Sequence, residues 1–350
     1  MIDFDRIQLK SADNFNALYK VHVVKEETIS FLQEYSNLIY EKDFQALFQY
    51  HSEKARKEIL DRIVAYYKNT GRDSSKLSVE HILQQILNSD VNEKNYDVWL
   101  KNQCIAIIKT FDILTERINK AIECTPEEKL FHSDFISANS MHLRKLIIDA
   151  KELLMYMEAY KGDTPKEQIG FNRGIQGFDS NWYADLLFNG TVDYSNFAYY
   201  IDLAFLLRDS IELRVRKGLG IFEVTLPNGS SAHIANDLFL DFVFENNNIE
   251  LPTLNKAVIQ KIFKWSNFHI HKGFVLYEWQ LVLSYDYVQP LFKGVKNSQQ
   301  INLYGAIKIQ EQYYKNQLAN DLENYLFAKD SKNKGIKVIL MDKPEAMLIK

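Results

Sequence analysis

Residues 199–219 read YYIDLAFLLRDSIELRVRKGL, and a second stretch, 254–271, reads LNKAVIQKIFKWSNFHIH. Turning each residue by about 100° places Leu203, Ala204, Leu206, Leu207, Ile211 and Val215 of the first on one broad face. In the second, Val258, Ile259, Ile262, Phe263, Trp265 and Ile270 group in the same way. Two amphipathic helices of one module are the simplest reading. The first is bounded by Gly218 and Gly220, residue types that suit a left-handed C-terminal cap.

Outward from these helices the pattern changes period. Phe222–Leu226 alternates, Asn228-Gly229 follows, and Ala232 and Ile234 alternate again, which predicts a β-hairpin near 222–235. Helices are expected at 237–244 and 275–292, the latter separated from its predecessor by Gly273. Beyond Asn297 a Gln/Asn-rich helix is expected to about Ala328, and Gly335–Met341 reads as a strand. That strand pairs either with an N-terminal strand at 18–24 or with the hairpin; the pattern leaves both open.

The N-terminal half is helical in spacing from about 27 to 68, and Asn69–Gly71 reads as a stop. Ser78 is the expected N-cap of a helix at 79–88. Two long helices follow at 92–124 and 127–161. Thr125-Pro126-Glu127-Glu128 marks the start of the second, with a capping Thr, Pro at the first helical position and an acidic return three residues on. Thr164-Pro165-Lys166-Glu167 repeats the signature. Gly170, Gly174, Gly177 and Gly190 punctuate 161–194, read as a junction. The expectation is therefore a mainly α protein. A bundle of long helices fills 1–160, a helical bundle with a small β-hairpin fills 195–296, and a helix and strand complete 297–350.

The composition bounds the function. The net charge of −4 supplies no global attraction to nucleic acid, although it allows a local patch. Cys104 and Cys124 suit neither a zinc knuckle nor a disulfide framework, and a reducing compartment is the simpler reading. The opening MIDFDRIQLK has no apolar signal core, and no apolar run approaches the roughly 18 residues of a membrane span, so cytoplasm is the expected location. No phosphate-binding Gly loop, dinucleotide fingerprint or nucleophile elbow is present, and no cofactor is expected. His269 and His271 diverge by about 200° on a helix and cannot share a metal there. Only an extended backbone would bring them to one ion.

Several polar residues interrupt the apolar faces. Arg214 falls among Leu203 and Leu207, and burial there demands a partner: His269, Ser266, a carboxylate or a run of carbonyls. With Ser266, Arg208 and Glu212 it is the candidate polar core. That core either fixes the packing of two helices or lines a cleft between them. Lys264, Asn267 and His271 lie on the polar side of the second helix, where a solvated face and a functional one look alike. An imidazole at a helix C-terminus is favoured by the dipole in either case.

The stretches LLRDSIELRVRKGLGI (206–221), IQKIFKWSNFHIHKG (259–273) and DYVQPLF (286–292) together resemble bacterial proteins related to the HEPN superfamily. The likeness covers about a hundred residues. It implies a small helical bundle, often dimeric, of the kind found in defence and toxin RNases and in RNA-binding or adaptor modules. Catalytic members carry Arg, four to six residues, then His. Here Lys264 stands at the Arg position, with His269 and His271 both at acceptable spacing and Trp265 where a polar residue is common. Lys does not reproduce the planar, bidentate grip of Arg on phosphate. If the chain is an enzyme, the resemblance implies a metal-independent endoribonuclease. His271 or His269 would be its acid/base, with Lys264 on the phosphate and Asn267 among the candidate site residues. The alternative is a non-enzymatic helical interaction or dimerisation protein.

Overall fold

The chain, seen in a computed structural model, is described for residues 50–87, 96–122, 139, 142–154, 157, 198–272, 277–296 and 301–349. The expected strand at 18–24, both Thr-Pro helix starts and the 161–194 junction lie outside these residues. The described part is mainly helical with a few short strands. It falls into two units, one within Met1–Lys68 and Ile113–Pro165, the other within Asn69–Asp112 and Lys166–Lys350.

In the first unit, a π-helical turn at Tyr50–Ala55 leads into α1 (Arg56–Tyr66), whose Ile59 and Ile63 are buried. Residues 142–154 are helical and bury Leu143, Leu146, Ile147, Leu153 and Leu154. Two charged pairs go into this interior. Lys145 donates to Asp149 at 2.8 Å within one turn, and buried Lys151 donates to Glu58 of α1, also at 2.8 Å. Burial lowers the Lys151 pKa to about 8, against the pull of Glu58.

The second unit begins with α2 (Thr70–Lys76) and α3 (Val79–Ile86). The preceding helix does stop before Asn69, at Tyr66, and the Asn69 carbonyl then accepts from Asp73 N at 2.9 Å at the start of α2. Ser78 caps α3 as expected, its Oγ accepting from His81 N at 3.2 Å. The long helix α4 (Tyr96–Ile122) contributes its first part here and its last turns to the other unit. Within this unit α3 packs on α7 (Lys256–Lys272) and α8 (Glu278–Val288).

The bond of α3 and α4 to the C-terminal helices is polar as well as apolar. The last-turn carbonyl of Ile86, orphaned by the end of α3, accepts from Gln103 Nε2 at 3.3 Å and Gln280 Nε2 at 3.5 Å. Each amide uses its oxygen on an indole. Trp279 Nε1 donates to Gln103 at 2.6 Å, and Trp265 Nε1 to Gln280 at 3.2 Å. Nearby, Glu80 of α3 accepts from Asn255 Nδ2 at 2.9 Å and from the Tyr287 hydroxyl at 3.3 Å.

The rest of the unit is built on α5 (Ala198–Gly218), which packs on α6 (Asn236–Glu245), α7 and α8. Ala204, Leu207, Ile211 and Val215 are buried as their spacing predicts, while Leu206 is 51% exposed. Gly220 takes the left-handed conformation expected of a cap, at φ 70°. Pro290, which has no N–H to continue a helix, ends α8 in a 3₁₀ turn at Gln289–Leu291.

The predicted hairpin is present in its turn: Gly229 has φ 82°, and Ala232 N donates to Val224 O at 2.7 Å. Among the described residues, the returning arm pairs only at the bridge Thr225–Ser231. The lasting partner of β1 (Ile221–Thr225) is β6 (Lys337–Leu340), antiparallel, with Val224 opposite Val338. The C-terminal strand thus takes the second of the two options its sequence allowed. A bulge between Ile221 and Glu223 breaks the alternation and leaves Phe222 68% exposed.

One expectation is corrected. The stretch after Asn297 is not one helix to Ala328. Strands β3 (Val295–Lys296) and β4 (Ile301–Asn302) pair first, and β5 (Lys308–Gln310) then pairs with β2 (Ile249–Glu250) and β7 (Met347–Ile349). Helix begins only at α9 (Glu311–Asn316) and resumes at α10 (Leu318–Lys329). Asn302 explains the failure, because its Oδ1 captures Tyr304 N at 2.9 Å and offers the backbone a turn instead of a helix.

Candidate functional site

The resemblance picks out α5 and α7, and these helices do pack against one another. The Arg208 guanidinium lies over the Phe263 ring, 5.7 Å from its centroid, and so reaches α7 one residue from Lys264. Arg208 is also committed within its own helix, donating to Glu212 at 2.6 Å. The second oxygen of Glu212 accepts from Asn236 at the start of α6. Arg208 and Glu212 therefore form a half-buried tie between α5, α6 and α7.

Ser266 is fully buried and donates to Phe263 O at 2.9 Å, satisfying itself within α7. Lys264 is exposed. Asn267 is half-buried, and its Oδ1 is buried without a hydrogen-bond partner among the described residues. The backbone of α7 stays helical through Lys272, so the extended arrangement that would bring His269 and His271 to one metal does not occur. The side chains of His269 and His271 lie outside the described residues. Among those described, no group of three His, Cys, Asp or Glu is placed to hold a metal ion.

Arg214 does not join this group. It is 7% exposed and points toward the C-terminal segments instead. Its Nε donates to Leu291 O at 2.8 Å, its Nη2 to Tyr304 O at 3.1 Å, and its Nη1 to Glu345 O. Of the partners the sequence left open, a run of carbonyls is the one realised. One side chain of α5 thereby holds the end of α8, the β3–β4 segment and the C-terminal tail. The tail also serves α5, since Glu345 N donates at 2.8 Å to Lys217 O, a helix-end carbonyl that also accepts from Gly220 N at 3.0 Å.

These contacts leave a groove of about 420 Å³ above Arg214. Leu213, Phe292, Leu303 and Tyr304 supply apolar walls, and each is at least 38% exposed. Lys217 and Glu345 stand at its edge. Sequence reasoning singled out Arg214 alone here. Ser210, Leu213 and Lys217 share its helix, whereas Phe292, Leu303, Tyr304 and Glu345 come from segments at least 75 residues further along the chain, and no local pattern joins the two sets.

No family model matches the chain, and no curated protein or solved structure is significantly similar to it. Among the described residues, no helix is long and apolar enough to cross a membrane.

Proposed function

We propose that the C-terminal unit is a HEPN-like helical module that binds RNA through the exposed side of α7 and does not depend on cutting it. The observation that supports this reading is the pairing of α5 and α7. The two segments that carry the resemblance pack as neighbours, and Lys264 projects as an exposed cation beside the Arg208–Phe263 contact. An exposed lysine is a point charge suited to phosphate, and it supplies affinity without sequence readout. Lys in place of Arg weighs against cleavage, because bidentate stabilisation of a phosphorane-like charge is lost.

The test is fluorescence anisotropy of the full chain with labelled single-stranded RNA. Binding should weaken in Lys264→Glu, and the slope of log K against log salt should fall by about one. Absence of binding at low salt, or an unchanged slope in the variant, rejects the reading. Incubation of the same RNA with wild type and with a His269→Ala/His271→Ala variant decides cleavage. Cutting by wild type alone would make the protein a metal-independent endoribonuclease.

A second reading rests on a different observation. Phe205, Leu206 and Leu213 are 53%, 51% and 49% exposed along α5. Apolar residues repeated seven positions apart on an accessible helix are a docking stripe for a second copy or a partner protein. Under that reading the fold is an adaptor. Sedimentation of wild type against Leu206→Glu/Leu213→Glu separates it, since only a docking stripe loses an assembly on charge insertion.

A further inference from the structure

The groove over Arg214 has the make-up of an anion site with apolar walls. A guanidinium carries five N–H donors. Three of those on Arg214 go to the carbonyls of Leu291, Tyr304 and Glu345, and two remain unassigned among the described residues. Carbonyls satisfy donors but bring no formal charge, and no carboxylate oxygen lies within ion-pair distance of this guanidinium among the described residues. Burial disfavours its charged form, and the Glu345 carboxylate offsets that only from a distance. Lys217, one turn further along α5, adds a second cation to the lining, so positive groups outnumber negative ones two to one.

The remaining surface is apolar. Leu213 and Leu303 face the space, with the rings of Phe292 and Tyr304. The Tyr304 ring centroid lies 5.9 Å from the guanidinium carbon, so an aromatic plane stands beside the cation. The volume of about 420 Å³ falls in the lower part of the roughly 300–1,000 Å³ range of small-molecule clefts.

We propose that this groove binds a small organic acid, its carboxylate on Arg214 and Lys217 and its apolar body between Leu213, Phe292 and Tyr304. The carboxylate supplies the charge that the three carbonyls lack, and Arg214 is already held in place by them. Little ordering is then needed on binding. The body displaces water from side chains that are otherwise exposed. This assignment is independent of RNA binding at α7.

The test uses 2-naphthoate as the acid and 2-naphthalenemethanol as its neutral counterpart, with the full-length protein and saturation-transfer NMR titration. Naphthoate should bind saturably and the alcohol roughly tenfold more weakly, the worth of one charge-assisted hydrogen bond. Lys217→Glu and Leu213→Asp alter partly exposed side chains and should keep the wild-type melting temperature. Each should weaken naphthoate by roughly tenfold or more, the first through charge and the second through the apolar wall. Non-saturable binding of naphthoate, equal affinity for the alcohol, or wild-type affinity in both variants would overturn the assignment.

Discussion

The indole of Trp279 donates to the side-chain oxygen of Gln103 at 2.6 Å, across 176 residues of chain and inside a fully buried environment. The same Gln103 amide serves the Ile86 carbonyl, so a single side chain joins α3, α4 and α8. Replacing Gln103 by Leu keeps the volume but strands the indole N–H. The Ile86 carbonyl keeps its longer bond from Gln280. A loss of about 1–3 kcal/mol is expected, the usual penalty for one buried donor left without an acceptor. Urea denaturation followed by tryptophan fluorescence measures it. In a Trp279→Phe background the same substitution should cost distinctly less, and equal costs in the two backgrounds would show that the bond carries no coupling.

Arg214 is predicted to hold the C-terminal tail to α5. Arg214→Met retains most of the apolar stem and leaves three carbonyls without their donor, at a cost of about 3 kcal/mol or more. Arg214→Lys should recover only part, because an ammonium cannot span three separated acceptors as a planar fork does. The local readout is amide hydrogen exchange. Protection at Met341, Glu345 and Met347, whose N–H groups bond Gly220 O, Lys217 O and Ile307 O, should fall well before that of α8. A uniform loss of protection would show that Arg214 acts on the whole unit.

Much of this architecture was legible locally, where the cause is local. Ser78 as a cap, Gly220 in the left-handed region and the burial of Leu207, Ile211 and Val215 each follow from a residue and its neighbours. The demand of Arg214 for a partner was equally legible, because burying a guanidinium is costly wherever it occurs. Which carbonyls would answer it was not, since they come from segments far apart in the chain. The failure after Asn297 has the same origin on a smaller scale. Helical spacing there competes with Asn302 bonding its own backbone and with the pairing of β5 to β2 and β7. The candidate site on α7 was read from helical spacing together with the resemblance, and neither fixes what lies opposite a residue.

Two glycines separate backbone strain from crowding. Gly220 and Gly229 have φ of 70° and 82°, a region costly for any residue with a Cβ. A Cβ on Gly229 meets nothing within 4 Å, whereas one on Gly220 would sit 2.9 Å from Tyr314 Cε2 and nearer still to its hydroxyl. That hydroxyl is fixed by its bond to Met341 O at 2.6 Å and cannot simply swing away. Gly229→Ala should therefore cost about 1 kcal/mol from conformation alone, and Gly220→Ala clearly more. Thermal denaturation of the two variants compares them directly. Equal shifts in melting temperature would mean that Tyr314 yields without penalty.

The two units should respond to alkali in opposite directions. In the first, the Lys151 ammonium is buried and its pKa lies at about 8, below the ordinary 10.5 of the unfolded chain. Between these values the folded state binds fewer protons than the unfolded one, so stability rises with pH, starting as pH passes 8. In the second, burial raises Tyr287 and Tyr313 to about 12 from an ordinary 10. Above pH 10 the unfolded chain loses phenolic protons first, and stability falls as pH climbs toward 12. Hydrogen exchange resolved by segment, run from pH 7 to 12 and corrected for intrinsic exchange, should show helix 142–154 gaining protection as pH passes 8, and α8 and α9 losing it only above pH 10. Lys151→Met removes the titrating group and should flatten the rise in the first unit while leaving the alkaline loss in the second unchanged. A rise that persists in Lys151→Met would assign the effect to another group.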